Sequence, residues 1–361
     1  MKLRTIAVIL LVLAMSFALF GCNNDPAPPP TPSPADAGTT DPVETPEPPA
    51  DPDEVFIITA AHSHVDTMSL HHFFEVFQEE AERLSDGRLV VNVFPGGQLG
   101  GDRDLTEGVQ AGDITMMGAN INPHAMFMSD FAIFDIQFVH ADLESAREVL
   151  DDPELLTRVA EIYAEGGFHH LGFTDSAFRY LTANMPIHTP DDMSGLTLRT
   201  SANNFHVANW EAIGTNPTPL GIGEVYIALQ QGTVDAQDNP IEHNLLFGFY
   251  EQQSHFMELN HFFHVNTYVM CPVFYASLPA DLQAVVDQAA ATAIQATRQF
   301  HDNNMASQIQ YLLDYGIVFV TLTPEEVALF SERAETTWPL IEAEVTPETF
   351  AIFMAAVERA R

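Results

Sequence analysis

The chain has 361 residues, well beyond the roughly 150 of one typical domain, so two lobes are expected. Apolar residues make up 46% of it, enough for a large core, which excludes wholesale disorder. Against 50 acidic residues stand 13 basic ones, a formal net charge of −37, which argues against nucleic acid as a partner because phosphate binding needs clustered Lys and Arg.

Lys2 is the only lysine, so beyond the leader all basic charge is arginine. Such an acid-rich, lysine-free surface resembles adaptation to high salt, where screening tolerates self-repulsion. Lys2 and Arg4 precede an apolar run, Ile6 to Phe20, broken only by Ser16. The run is shorter than the ~20 residues a membrane-spanning helix needs and follows a positive n-region, so residues 1–22 read as a signal peptide. Its end, Leu19-Phe20-Gly21-Cys22, resembles a bacterial lipoprotein lipobox, in which Cys22 would carry the lipid. The alternative is an ordinary secretory signal with an incidental cysteine. Residues 23–54 read as a Pro- and acid-rich disordered tether: Asn23 to Pro52 holds 11 of the 24 prolines and no aromatic or basic residue. At ~3.1 Å per residue it would reach roughly 90 Å when extended.

From Val55 onward, strand-like and helix-like segments alternate. Val55 to Thr59 is a short apolar run, and Asp66 to Leu84 places Leu70, Phe73, Phe74, Phe77, Ala81 and Leu84 at helical spacing. Leu89 to Phe94 reads as a strand, Pro95 to Gly101 as a loop, Asp102 to Gln110 as a helix and Ile114 to Gly118 as a strand. The loop is Gly-rich but lacks the spacings of a phosphate-binding loop, so it reads as a plain turn. Phe168 to Thr174, Phe178 to Thr182 and Leu196 to Thr200 continue the strands, with helices at about Asn204 to Ile213 and Ile222 to Gln231. This order predicts an α/β fold with mainly parallel sheets. Neither Pro nor Gly falls between Pro279 and Gly316, so Asp281 to Tyr315 predicts one helix of ~50 Å, long enough to run along both lobes. Ile317 to Leu322 returns as a strand, and Thr323-Pro324-Glu325-Glu326 opens another helix with a capping box.

Residues able to carry chemistry are few. The 15 histidines raise a metal site, but no HExxH, CxxC or related spacing accompanies them, and surface or capping histidines are the simpler account. Nucleophile motifs such as GxSxG and SxxK are missing. Cys271, in the strand-like run Val269 to Val273, reads as a buried small hydrophobe. Arginines carry more information because they are scarce. Arg199 ends the short apolar strand Leu196-Thr197-Leu198-Arg199, and the carboxyl end of a strand in an α/β lobe faces the usual ligand crevice. Its planar fork suits bidentate capture of a carboxylate, although pairing with one of the many acids is the competing account. Arg179 is ambiguous in the same way. Asn239-Pro240 reads as N-cap and first residue of a helix.

Gly195-Leu196-Thr197-Leu198-Arg199, Pro217-Thr218-Pro219, Gly223 to Gln230 and Gly232-Thr233-Val234-Asp235-Ala236-Gln237-Asp238-Asn239-Pro240 stand in order along the chain. Together they resemble the signature of the DctP-type substrate-binding proteins of tripartite ATP-independent periplasmic (TRAP) transporters. Gln98-Leu99-Gly100 with Asp102-Arg103, Gly112-Asp113-Ile114, and Leu181 to Asn184 running into Pro190 to Met193 fit as well, so the resemblance covers roughly Val55 to Ala334. It implies a two-lobed, periplasmic-binding-protein-like α/β fold with a ligand cleft between the lobes and a long helix spanning both. The lobe boundaries expected are 55–175 plus about 265–300 for the first, and 176–264 plus about 301–361 for the second.

The resemblance also implies site residues. Arg199 would be the selectivity arginine, salt-bridged to the ligand carboxylate, with Asn239 fixing that carboxylate and Arg179 a second arginine nearby. Asn120 would be a polar contact from the first lobe, His62 and Asp102 would lie at that lobe's rim, Ile222 would form apolar wall and Trp210 adjacent packing. Thr197 stands where the family commonly has Lys, and Asp238 where it has Glu. The function implied is non-enzymatic and without cofactor or metal: a lipid-anchored, extracytoplasmic binding protein delivering a small organic acid to TRAP permease subunits. Two alternatives remain open, an extracytoplasmic sensor of the same fold and a secreted metal-dependent hydrolase using the histidines.

Overall fold

The structure is a computed structural model that describes residues 54–361. The leader, Cys22 and the tether to Asp53 lie outside the described residues. Eleven strands are present among those described: β1 (Phe56–Ala61), β2 (Leu89–Phe94), β3 (Met116–Asn120), β4 (His169–Phe178), β5 (Tyr180–Ala183), β6 (Thr197–Thr200), β7 (Asn216–Pro219), β8 (Ala236–Asn239), β9 (His255–Glu258), β10 (Phe263–Met270) and β11 (Val318–Thr321). They form two sheets, of order β2-β1-β3-β10-β4 and β11-β9-β5-β8-β6-β7. Each sheet centres one lobe of a mixed α/β fold.

In the first lobe, the helix Ser69–Leu84 buries Leu70, Phe73, Phe74, Phe77 and Ala81 on one face of the sheet, as its spacing predicts. Gly118 on β3 permits this approach, because a Cβ there would sit 2.9 Å from the Phe74 ring and 2.8 Å from Tyr268. The helix ends where Asp86 and Gly87 both adopt positive φ, and the Gly87 N–H returns to the Glu82 carbonyl. The opposite face of the sheet packs Leu105, Val109, Phe131, Phe134, Val149, Tyr163 and Phe168. The second lobe is built on Leu181, Met193, Leu198, Trp210, Ile213, Ala236, Met257 and Phe330.

Both sheets are mixed rather than mainly parallel. β10 runs antiparallel to β3 and β4, and β5 antiparallel to β8 and β9. The cause is the crossing between lobes: β4 and β5 carry the chain out through Arg179, whereas β9 and β10 bring it back through residues 259–262. The two paths run in opposite directions. The helix Ala280–Tyr315 follows, 36 residues or about 54 Å long. Its Leu282, Val286, Ala289 and Ala293 pack in the first lobe and its Leu312 in the second. Thr323 caps the next helix through the expected capping box.

The long helix is thus the third crossing, and the chain then crosses a fourth time. Phe330 and Ala334 belong to the second lobe's core, but Ile341, Val345, Phe353 and Val357 pack into the first lobe's. Residues 338–361 therefore depart from the expected assignment of 301–361 to the second lobe, because the helix Trp338–Glu344 fits against the segment Ser129–Asp135 and the helix Pro347–Arg359 against the helices Leu143–Leu150 and Pro153–Glu165.

Candidate ligand-binding site

The carboxyl ends of β1, β3, β4, β6 and β8 and the start of β10 converge between the lobes, the position where α/β sheets bind ligands. Arg199, on β6 between β7 and β8, is 4% exposed. Its Nε and Nη2 both donate to the Leu220 carbonyl, at 3.1 and 2.7 Å, which fixes the plane of the guanidinium. Every other described arginine has a carboxylate within salt-bridge range; Arg199 has none among the described residues. Burial pushes its pKa down to about 10, with Asp238 opposing the shift and Arg179 adding to it, so it stays charged at neutral pH.

Arg179 sits at the first crossing, also 4% exposed, with its guanidinium 4.8 Å over the Phe262 ring and Nη1 3.6 Å from Asp238 Oδ2. Burial alone would raise the Asp238 carboxyl, but Arg179 and a hydrogen bond from His261 hold it well below the usual range. Asp238 is thus occupied by partners of its own. Asn239 is 3% exposed and donates through Nδ2 to Gln237 Oε1. The helix after it spans Ile241–Leu246 with Pro240 as N-cap, so Asn239 closes β8 and does not cap the helix as its sequence suggests. A polar ladder holds it there: Asn244 Nδ2 donates to the Asn239 and Pro240 carbonyls.

From the first lobe, Asn120 ends β3 and donates through Nδ2 to the Val265 carbonyl and to His264 Nε2. His62 is fully buried, shares a 2.9 Å hydrogen bond with His71 and stacks on Phe74. Burial, helped by His64 and His71, lowers its pKa to about 3. It faces the helix Ser69–Leu84 and makes no hydrogen bond to the second lobe's arginines. Asp102 accepts from Ser63 Oγ in the first turn of the helix Asp102–Ala111, also apart from them. Ile222 is 36% exposed just past Leu220, and thus outside the buried group. Trp210 is fully buried in the second lobe, edge-on to His261 at 5.2 Å. Among the sequence-derived residues, then, Arg199, Arg179, Asn239 and Asn120 line the convergence, Trp210 packs behind it, and His62, Asp102 and Ile222 flank it.

Four polar residues at the convergence carry no such expectation: Glu242, His243, His264 and Asn266. All are at least 95% buried. Glu242 joins the lobes, accepting the Ser69 N–H at 2.7 Å on Oε1 and the Ser69 hydroxyl at 2.8 Å on Oε2. Many histidines expected at the surface are in fact buried, His124, His206, His243, His261, His264 and His301 among them, because they lie on strands and helices facing the lobe interiors. Among the described residues, no group of three or more His, Cys, Asp or Glu side chains is placed to hold a metal ion. Open surface grooves, such as the ~650 Å³ one lined by Leu143, Arg147, Asp151 and Pro153, include neither Arg179 nor Arg199 in their lining. Cys271 is buried and unpaired.

The family described as DctP, bacterial extracellular solute-binding protein family 7, matches residues 60–344. A solute-binding protein of Verminephrobacter eiseniae is 33% identical over 64% of this chain and 68% of its own length. The C4-dicarboxylate-binding periplasmic protein DctP of Rhodobacter capsulatus is 28% identical over 78% of this chain and 84% of its own. Among solved structures, the sugar acid binding protein of Advenella mimigardefordensis, crystallised with galactonate, superposes with a TM-score of 0.79 at 25% identity, covering 85% of this chain and 99% of that one.

Proposed function

Since this chain belongs to the DctP family of bacterial extracellular solute-binding proteins, which serve transporters and are not enzymes, we propose that it captures a small organic acid by a salt bridge from Arg199 and delivers it to TRAP permease subunits. The observation that carries the reading is the isolation of Arg199. In a chain of net charge −37, a buried arginine with no carboxylate partner is an anion site whose anion comes from outside. The Leu220 carbonyl holds one edge of its fork, Asn239 stands on the neighbouring strand, and Arg179 is largely neutralised by Asp238. The relatives named for C4-dicarboxylates and for galactonate support an organic acid as the class. Closure of the lobes around the acid creates the form that the permease recognises. The protein works outside the cytoplasm, and Cys22 provides a lipid anchor with residues 23–54 as spacer.

The test is a thermal-shift and calorimetric screen of small carboxylates, beside neutral sugars and amino acids, on protein unfolded and refolded to strip carried-over ligand. An acid that raises the melting temperature of the wild type should leave Arg199→Ala unmoved, since losing a buried charge partner costs about 2–5 kcal/mol of binding. Equal binding by wild type and variant would refute the assignment.

A further inference from the structure

The interior beside Arg199 has a second polar pole, built from three histidines of different elements. His64 follows β1 in the first lobe, His243 stands on the helix Ile241–Leu246 of the second, and His264 is the second residue of β10. The His64 and His243 ring centroids are 5.9 Å apart, and those of His243 and His264 4.8 Å. The Nδ1 atoms of all three are buried with no hydrogen-bond partner among the described residues.

Hydrogen bonding places the proton on His264. The Asn122 N–H donates to Asn120 Oδ1, so the opposite side of that amide is its NH₂ group. That group meets His264 Nε2 at 3.1 Å and can only donate, which makes Nε2 an acceptor. A neutral His264 ring therefore carries its hydrogen on Nδ1, as a buried donor awaiting an acceptor. Leaving such a group unsatisfied is costly, and a ligand oxygen relieves the cost.

Charge counting limits what that ligand can be. Arg179 and Asp238 offset each other, and Glu242 is engaged by the N-terminus of the helix Ser69–Leu84. Arg199 is left as the guanidinium with no carboxylate in salt-bridge range among the described residues, and the partial positive charge at that helix's N-terminus offsets part of the charge on Glu242. The titratable and charged groups facing His243 are His64, Arg179, Arg199 and His301; those facing His264 are Arg179, His243, His64 and His206. Burial first, and then these neighbours, keep both rings neutral. One carboxylate thus balances the site, and a second would need a proton to arrive with it.

Building on the Arg199 reading, we propose that His64, His243 and His264 are the specificity-determining residues of the cleft, donating to an uncharged hydroxyl or oxo oxygen at the far end of a monocarboxylic acid whose carboxylate lies on Arg199. A dicarboxylate enters only with uptake of one proton by this histidine group.

Matched probes test this by titration calorimetry on the purified protein: 4-hydroxybutanoate against succinate and butanoate, and gluconate against glucarate. At pH 7.5 the hydroxy-acid of at least one set should bind tenfold or more tighter than its dicarboxylate. From pH 7.5 to 5.5 the dicarboxylate should tighten by up to about tenfold per pH unit, as linkage to one proton requires, while the hydroxy-acid stays level. Titration in two buffers of different ionisation heat reads that proton directly. His243→Asn and His264→Asn, checked for folding by their melting curves, should lose the preference for the hydroxy-acid; the wild-type proton count decides even where a variant does not fold. A pH-independent preference for the dicarboxylate, or unchanged discrimination in folded variants, overturns the histidine proposal. If acids nevertheless bind and Arg199→Ala abolishes binding, the carboxylate reading stands alone. Binding of none of the probes overturns both.

Discussion

Glu242→Gln isolates the energy of lobe closure. The helix Ser69–Leu84 has no side-chain cap of its own: its N-cap is Met68, whose side chain accepts nothing. Glu242, from the other lobe and 173 residues away in sequence, supplies the cap, with one carboxylate oxygen on the Ser69 N–H and the other on its hydroxyl. At 2% exposure the carboxylate is shielded from water, and it lies at the positive end of a 16-residue helix. A hydrogen bond to a charged group contributes about 1.5–3 kcal/mol. Glutamine keeps one oxygen to accept a bond but loses the charge, so a loss of about 1–2 kcal/mol is expected, or roughly 5- to 30-fold in Kd. In the proposed closure the contact forms as the lobes meet, so the loss should fall on ligand affinity and closure and leave the ligand-free melting temperature little changed. Calorimetry with an acid found in the screen gives Kd, and small-angle scattering gives the radius of gyration with and without it. A variant with wild-type Kd and wild-type compaction would refute the latch.

The buried histidines give a pH dependence with a definite sign. Burial lowers His124 and His140 to about 4 and His62 and His170 to about 3, from an ordinary 6.5. Folded, these rings resist protonation; unfolded, they accept it freely, so their contribution is complete above pH 6.5 and is lost as pH falls through the interval below. Each contributes up to about 1.4 kcal/mol of loss per pH unit in that interval. The melting temperature should hold level from pH 8 to 7 and decline steadily from 6.5 to 5. Depressed carboxylates such as Asp130 and Asp152 lose their contribution only nearer pH 4 and below, so a level melting temperature from 7 to 5 would contradict the burial of the histidines. For the anchor, Cys22→Ser should move the protein from the membrane fraction to the soluble extracytoplasmic fraction, and retention in the membrane would argue against lipidation.

Elements set by local chemistry were legible in the sequence. The Leu70 to Leu84 spacing, the uninterrupted run after Pro279 and the box at Thr323 specify helices whatever surrounds them, and each forms where expected. What sequence left open is decided by the crossing of the chain between lobes. The antiparallel place of β10 depends on the return path, and the position of residues 338–361 depends on which apolar surface lies nearest after the last crossing. Arg199 and Asn239 could be singled out because ordered motifs surround them, while their binding role belongs to the proposal. Glu242 and His243 were not singled out although they come just after Asn239-Pro240-Ile241, because a helix start gives no sign of the opposite lobe. His264 and Asn266 had a weak signal: with Thr267 they are polar residues in the mostly apolar stretch Phe262 to Met270, wholly buried, which is costly unless each serves a partner.

The acid-rich surface and the buried arginine fit together physically. An anion approaching a chain of charge −37 is repelled at long range, but that repulsion is screened beyond about 10 Å at 0.1 M salt and about 3 Å at 1 M. The attraction that would retain the anion in the proposed site acts at contact, on a guanidinium 96% buried and held in plane by the Leu220 carbonyl, where salt does not reach. Salt therefore removes the opposing force and spares the binding one. An exposed site would lose both together. A lysine would lack the planar fork that the carbonyl fixes on one edge while leaving the other for a carboxylate. The geometry at Arg199 thus suits the proposed capture of acids by a strongly acidic protein, at high salt as well as low.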